Sequence, residues 1–238
     1  MIQVCIRRLT SFFTTKDSLV ELGIVLLSMK EYSDSLEIFM EALEMRESEA
    51  DDMVLPEEIK DSNLKVAKVL NNIGCVNFEN SKFEAAKDAF VEAIKLQKKA
   101  LGEVSSFSFT NPATKPGFLT MASTMCNKGY IELEQENYKE SIAIFNESLI
   151  IQKMLLGADN KLVLSTYDNI GFAYAMNESY GKSLAVSIIS VSTCFRTTSI
   201  SKTMVNRFIR SFCPARRSHT QKRKQTVDKP RKRSSTSN

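Results

Sequence analysis

The sequence predicts an all-α protein made of repeated helical hairpins, and three observations lead to that prediction. Gly and Pro are scarce, at 8 and 5 of 238 residues, and Trp is absent. Residues that favour helices, such as Ala, Leu, Glu, Lys and Met, dominate the first three quarters of the chain. A pattern of glycine, aromatic and small residues recurs along the same part, and such recurrence indicates stacked repeats.

Four glycines define the repeat: Gly23, Gly74, Gly129 and Gly171. An aromatic residue stands nine positions after each glycine, and a small residue stands twelve positions after it. A Phe stands sixteen positions after each of the first three glycines. An Ala or a Ser stands nineteen positions after all four. In chain order these are Tyr32, Phe83, Tyr138 and Tyr180; Ser35, Ala86, Ser141 and Ser183; Phe39, Phe90 and Phe145; Ala42, Ala93, Ser148 and Ser190. Because a helical glycine costs about 1 kcal/mol relative to alanine, we expect each to permit close helix approach, with the later Phe a knob for the next repeat.

Each unit reads as two amphipathic helices joined by a short polar turn. In the first helix, Leu19, Leu22 and Leu26 share one face with the glycine. The turns are predicted at Ser28–Glu31 and Glu134–Asn137 in the first and third units. We expect repeats at residues 17–47, 67–100, 122–155 and 164–186, which together form a repeat domain over 17–186.

The segments outside the repeats are read as extensions and connectors. Residues 1–16 form an N-terminal extension, either a frayed first helix or, since they are basic and lack acids, an organellar transit peptide. Glu47–Asp61, with seven acids and one Lys, and Glu103–Phe118, with two Pro, are expected to be solvated connectors between repeats. The helical pattern is expected to fail after Ala185.

The repeat pattern resembles the tetratricopeptide repeat (TPR), over residues 17 to 186. It is most similar to the kinesin-light-chain type of repeat in Leu70–Gly74, in Ala93–Gly102 and in the closing Leu-Gly at 156–157. Asn77 and Glu132 depart from the family pattern, since they stand where an aromatic residue is usual. Further departures are the missing Trp and closing Pro, Ser187 in place of Phe, and the lack of the long heptad segment of kinesin light chains. The resemblance implies a right-handed superhelical solenoid of about four helix-turn-helix repeats.

The resemblance also implies a concave groove, lined by the first helix of each repeat, that binds peptides. We call its predicted lining the candidate groove: Asn71, Asn72, Cys75, Phe78, Ser123, Cys126, Asn127, Tyr130, Leu133, Asp168, Asn169 and Phe172. Asn72, Asn127 and Asn169 recur at one register, and the resemblance gives them contact with bound peptide; alternatively they cap or solvate helix faces. Lys68 is the one basic residue nearby, so the Lys/Arg clamp of chaperone-binding TPR domains is predicted to be absent.

The C-terminal part, residues 187–238, is predicted to be a disordered tail, Ser/Thr-rich and then basic. From residue 196 onward it holds 13 Lys/Arg against one acid. Its clusters are Arg216, Arg217, Lys222, Arg223, Lys224, Arg231, Lys232 and Arg233. They fit a nuclear-import signal or an arm that binds nucleic acid or an acidic partner; the alternatives are a tail without a specific task and an imperfect gene-model end.

Catalysis, metal binding and membrane insertion find no support in the sequence. His219 is the one histidine, and it lies in the tail, so His-based catalysis within the repeats is excluded. The five cysteines are widely spaced without a CxxC pair, so we expect no metal site and reduced thiols. No apolar run reaches about 18 residues. We expect neither cofactor nor enzymatic activity, and a cytoplasmic location, with a nuclear one as the alternative.

The leading hypothesis is a scaffold that binds partner peptides in the candidate groove. The alternative is a protein that binds nucleic acid or an acidic partner through its basic tail, with the repeats as an assembly platform. A third reading is a truncated paralogue whose groove is unused. The identity of the partner and the oligomeric state are open at this stage.

Overall fold

The computed structural model describes residues 15–50, 53–102 and 112–197, and within these ranges the regular elements are all α-helices. They are α1 Lys16–Ser28, α2 Tyr32–Ala50, α3 Pro56–Glu79, α4 Phe83–Leu101, α5 Lys115–Glu134, α6 Tyr138–Leu156, α7 Lys161–Met176 and α8 Tyr180–Thr197. Consecutive helices contact each other in the first three hairpins, and the first helices of neighbouring hairpins, α1 with α3 and α3 with α5, also contact. The fourth hairpin is joined by the Ser183 hydroxyl of α8, which donates to the Gly171 carbonyl of α7. The predicted all-α solenoid of four repeats is confirmed.

The recurring glycines are where the two helices of a hairpin meet. In the first hairpin the Ser35 hydroxyl donates to the Gly23 carbonyl at 2.8 Å, and the third and fourth hairpins repeat this bond from the serine twelve residues after the glycine. The ring of Phe39 fills the space that a side chain at Gly23 would need, since an added Cβ would lie 2.6 Å from its Cε1. The Phe therefore packs on the glycine of its own repeat, and it also shares one apolar cluster with Val69 and Ile73 of the next repeat, which fits the predicted knob.

The turn inside each hairpin has the same backbone conformation. Seven residues after each glycine stands a non-glycine residue with positive φ: Lys30 (63°), Ser81 (58°), Glu136 (63°) and Glu178 (56°). The following amide donates to a carbonyl five residues earlier, as from Glu31 to Leu26 at 3.0 Å, which is the long bond of a Schellman motif. The two predicted polar turns lie at these positions.

The first predicted connector, Glu47–Asp61, is mostly exposed where it is described, as expected, but it is largely helical rather than a loop. Helix α2 continues to Ala50, and α3 begins at Pro56, whose fixed φ suits the first turn of a helix. The charges that suggested a solvated loop are compatible with helix because Glu has high helix propensity and Glu57 and Glu58 lie at the positive end of the α3 dipole.

The second predicted connector, Glu103–Phe118, also enters a helix at its end. Phe118 lies in the first turn of α5 and is fully buried, in one apolar cluster with Met121. Gly117 permits this packing, since a Cβ there would lie 2.7 Å from Cδ2 of Leu101. Residues 103–111 lie outside the described part of the chain.

The helical pattern had been expected to fail after Ala185, but helix α8 continues beyond that residue. It continues past Ser187 to Thr197, and Ser190, at the small-residue position of the repeat, is buried. The repeat register thus persists although its Phe is lost. The rest of the predicted tail, residues 198–238, and most of the N-terminal extension, residues 1–14, lie outside the described residues.

Candidate peptide-binding site

The candidate groove residues come from the first helices α3, α5 and α7. Most are half-buried: Asn71, Asn72, Cys75, Phe78, Asn127, Tyr130, Leu133 and Asn169. Ser123 and Asp168 are exposed, and Phe172 is 55% exposed. Cys126 departs from the prediction because it is buried, with its Sγ 3.1 Å from the Ser148 hydroxyl of α6.

Side-chain amides join neighbouring first helices at this face. Asn127 Nδ2 on α5 donates to Asn71 Oδ1 on α3 at 3.0 Å and lies 3.5 Å from the Cys75 Sγ. Asn169 Nδ2 on α7 donates to the Tyr130 hydroxyl at 2.6 Å. The structure therefore brings five of the predicted residues together, although Asn127 pairs with Asn71 rather than with Asn72 at its own register.

Asn72 has an unsatisfied donor. Its Nδ2 is buried and makes no hydrogen bond within the described residues. The reason lies in α1: the residues at the registers of Asn71 and Tyr130 are Val20 and Ile24 there, which offer no acceptor. A buried amide without a partner costs about 1–3 kcal/mol, so this position gains from any acceptor that reaches it.

The Tyr130 hydroxyl and the Cys75 thiol of this face both have raised pKa values and keep their protons. Burial raises the pKa of the Tyr130 hydroxyl, and the hydrogen bond from Asn169 offsets part of that effect. Burial, together with the charge of Glu79, raises the pKa of the Cys75 thiol to about 11. A thiol needs its thiolate form to act as a nucleophile, so Cys75 contributes a weakly polar surface and not a reactive group.

Polar pairs at the junctions between repeats were missed by the sequence reading. Gln97 Nε2 of α4 donates to the Thr124 hydroxyl of α5 at 3.3 Å, and the Thr166 hydroxyl of α7 donates to Gln152 Oε1 of α6 at 2.7 Å. All four side chains are almost fully buried. The available signal was a Gln 23 residues after one glycine and a Thr five before the next, in the second to fourth repeats.

The first junction lacks such a pair. Arg46 occupies the Gln position of the first repeat and is buried, while Val69 stands at the Thr position. Arg46 Nη2 pairs with Asp17 of its own hairpin, and its Nε is buried without a hydrogen-bond partner within the described residues.

Glu132, one of the departures from the family pattern, is a buried carboxylate with partners. It lies 2.8 Å from Lys87 Nζ of α4 and accepts a hydrogen bond from Asn137 Nδ2 at 3.0 Å. Burial raises the pKa of this carboxyl, but the hydrogen bonds from Lys87 and Asn137, together with the charges of Lys87 and Lys128, outweigh burial, so the pKa lies below its ordinary value. The equivalent Asn77 is also buried and donates to the Ile73 carbonyl of its own helix at 3.1 Å.

The described residues contain neither a cluster of metal ligands nor a helix that could cross a membrane. No group of three or more His, Cys, Asp or Glu side chains there is placed to hold a metal ion. Among the described helices, none is both long and apolar enough to cross a membrane. The basic clusters between Arg216 and Arg233 lie outside the described residues, so their role stays a prediction.

Curated proteins match parts of the chain. The human nuclear autoantigenic sperm protein is 28% identical over 83 residues, which are 35% of this chain and 10% of the relative. Protein HGV2 of Halocynthia roretzi is 39% identical over 56 residues, which are 24% of this chain and 11% of the relative. The matches thus cover about a tenth of the length of these relatives.

Solved structures share the fold. BtubC (BKLC) from P. vanneervenii superposes with a TM-score of 0.60 at 16% identity, over 78% of this chain and 65% of that one. A putative kinesin light chain with nearly identical TPR-like repeats from Podosopora anserina gives 0.52 at 12% identity, over 77% and 76% of the two chains. Such low identities establish the fold alone. The structures that share the fold include a putative kinesin light chain, the type of repeat that the sequence resembles.

The sequence profile of the tetratricopeptide repeat matches residues 17–50, 66–106 and 120–186. These stretches contain the four glycines and both helices of the first three hairpins in large part. Since the matched stretches make up more than half of its residues, the chain belongs to the tetratricopeptide-repeat family.

Proposed function

We propose that the chain is a scaffold that binds an extended peptide segment of a partner protein along the candidate groove. The repeats are a protein-interaction scaffold of a typically non-enzymatic kind, and the proposal adds the place and the mode of binding. It assigns the contacts to side-chain amides on α3, α5 and α7, with apolar side chains around them.

The observation that carries the proposal is the recurrence of half-buried amides on successive first helices. Asn72 on α3 has an Nδ2 without a partner within the described residues, and the amides of Asn127 on α5 and Asn169 on α7 are already held in place. Asn127 donates a hydrogen bond to Asn71, and Asn169 donates one to Tyr130. Their Oδ1 atoms accept no hydrogen bond from the described residues. A carboxamide that both donates and accepts can pair with the backbone of a peptide whatever its sequence. Held amides lose little entropy when they bind.

Apolar side chains next to the amides supply the second part of the proposed site. Phe78 and Leu133 are half-buried, and Phe172 is more than half exposed. Phe78 is held by an edge-on contact with Phe83, with ring centroids 5.8 Å apart. Partly exposed, fixed apolar groups beside a few polar groups are typical of binding sites.

The test is peptide binding by the full chain and by the variant Asn127→Ala/Asn169→Ala. A peptide library is screened against the full chain, and the affinities of the selected peptides are then measured by fluorescence anisotropy. The double variant should bind about 5- to 150-fold more weakly, because each lost amide hydrogen bond is worth roughly 0.5–1.5 kcal/mol. Its thermal unfolding should show that the repeats remain folded.

Asn146→Ala is the matched control. Asn146 lies on α6, a second helix, and its Nδ2 bonds to the Ile142 carbonyl of that helix at 2.8 Å, so its loss should leave peptide affinity unchanged. Unchanged affinity in the double variant, or a library that yields acidic C-terminal tails, would remove the assignment of the asparagines and leave the scaffold fold.

A further inference from the structure

We propose that the candidate groove selects peptides that carry Lys or Arg next to apolar residues. This inference rests on the proposed function, since it specifies the partner of the same site. Its basis is the charge that the first helices present at the registers of the groove.

Four acids that form no ion pair within the described residues stand on the first helices at or beside these registers. Glu21 of α1 occupies the register of Asn72, and Asp168 of α7 that of Asn71. Glu79 of α3 and Glu134 of α5 lie five residues after their glycines, directly after the apolar groove residues Phe78 and Leu133. All four acids are exposed, so their charge is presented at the surface.

Nothing in the described part of the chain neutralises these four carboxylates. None of the four belongs to an ion pair there. By contrast, Asp17 and Asp61, which are also on first helices, pair with Arg46 and Lys65. The one cation exposed at the groove registers is Lys68 of α3.

Glu79 also lies close enough to the groove to act on one of its groups. The charge of Glu79 adds to burial in raising the pKa of the Cys75 thiol, so its field reaches the centre of the face. Because each of Glu79 and Glu134 follows an apolar groove residue, a ligand would meet an apolar contact and a carboxylate side by side. A Lys or Arg side chain suits both, since its aliphatic stem covers apolar surface while its charged end reaches the carboxylate.

Charge complementarity therefore favours a basic, apolar segment and disfavours an acidic one. Exposed ion pairs are individually weak and salt-sensitive, so the preference should come from several pairs together. We expect about a tenfold difference in affinity between basic and acidic versions of one peptide at about 0.1 M salt, shrinking severalfold at 0.5 M.

The experiment uses two fluorescein-labelled twelve-residue peptides and the full chain. In both peptides Leu, Phe and Leu stand three positions apart. Four positions that flank these apolar residues carry Lys in one peptide and Glu in the other. Affinity is measured for the wild type, for the groove variant Glu79→Gln/Glu134→Gln/Asp168→Asn, and for the control Glu41→Gln/Glu44→Gln/Glu47→Gln. The control changes net charge equally, at exposed acids of the second helix α2.

The proposal expects the Lys peptide to bind the wild type and the control about tenfold tighter than the Glu peptide, and the groove variant to lose most of that preference. Equal binding of the two peptides to the wild type would overturn the charge preference and leave peptide binding standing. Equal loss in the control would also overturn it, because the effect would then come from net charge. If neither peptide bound at any salt concentration, the proposed function itself would fail.

Discussion

Replacing the recurring glycines by alanine tests the packing of the hairpins with a control built into the chain. At Gly129 a new Cβ would lie 2.7, 2.9 and 3.0 Å from three atoms of the Phe145 ring, which is fully buried. Ordinary carbon contacts begin near 3.5 Å, so the ring has to move by more than half an ångström in a packed core. At Gly171 the nearest atom is the Ser187 Oγ, at 3.2 Å.

The expected free energies follow from two opposing terms. Overpacking a core costs about 1–3 kcal/mol, and three close ring atoms put Gly129→Ala at the upper end of that range. Alanine returns about 1 kcal/mol of helix propensity at either site. We therefore expect Gly129→Ala to lower the free energy of unfolding by about 2 kcal/mol, and Gly171→Ala to leave it unchanged or raise it by up to about 1 kcal/mol.

The assay is urea unfolding of the full chain followed by circular dichroism. Because repeat proteins unfold by coupled neighbouring units, the comparison is between midpoints of variants of the same chain. Phe145→Leu should partly rescue Gly129→Ala, since the smaller side chain vacates the space that the new methyl needs. Equal destabilisation by the two Gly→Ala changes, or a stabilised Gly129→Ala, would refute the packing argument.

Two further predictions concern buried polar groups. Because the pKa of Glu132 is lowered in the folded state, its stabilising contribution should be present above its ordinary pKa of 4.5 and lost as the pH falls through the folded-state value. Urea midpoints at pH 7 and pH 3 should therefore differ less for Glu132→Gln than for the wild type; an unchanged difference would contradict this. Thr166→Val should cost about 1–3 kcal/mol by leaving Gln152 Oε1 buried without its donor. Pairing it with Gln152→Leu should recover most of that loss in a double-mutant cycle, and strictly additive losses would argue against the bond.

The hairpins and their register could be predicted from sequence because they depend on local periodicity. Gly23 and Ser35 mark one contact within a single hairpin, and their spacing is visible without knowledge of the fold. The turn residue Lys30 could not be identified as left-handed, because residues other than glycine rarely adopt positive φ and its neighbours impose it. Helix ends were also missed where charge resembled a loop, as at Pro56.

The candidate groove was harder to predict because its bonds cross between repeats. The sequence placed Asn127 and Asn169 at one register, but their partners depend on which side chains the preceding first helix presents. Asn127 meets Asn71 and Asn169 meets Tyr130, so the same residue type makes two different bonds. Whether the asparagines bind peptide stays a prediction.

The junction between the first two repeats differs from the later ones in a way that bears on how the array was assembled. A chain with its repeats in another order would set Arg46 against a threonine, or a buried Gln against Val69, and would strand hydrogen-bonding groups in the core. The four hairpins share a backbone, yet they are not interchangeable modules. A repeat that is duplicated or moved within this chain would need matching changes on both sides of each new junction. Growth of the array by simple copying is therefore restricted to copies of junctions that already carry the Gln–Thr pair.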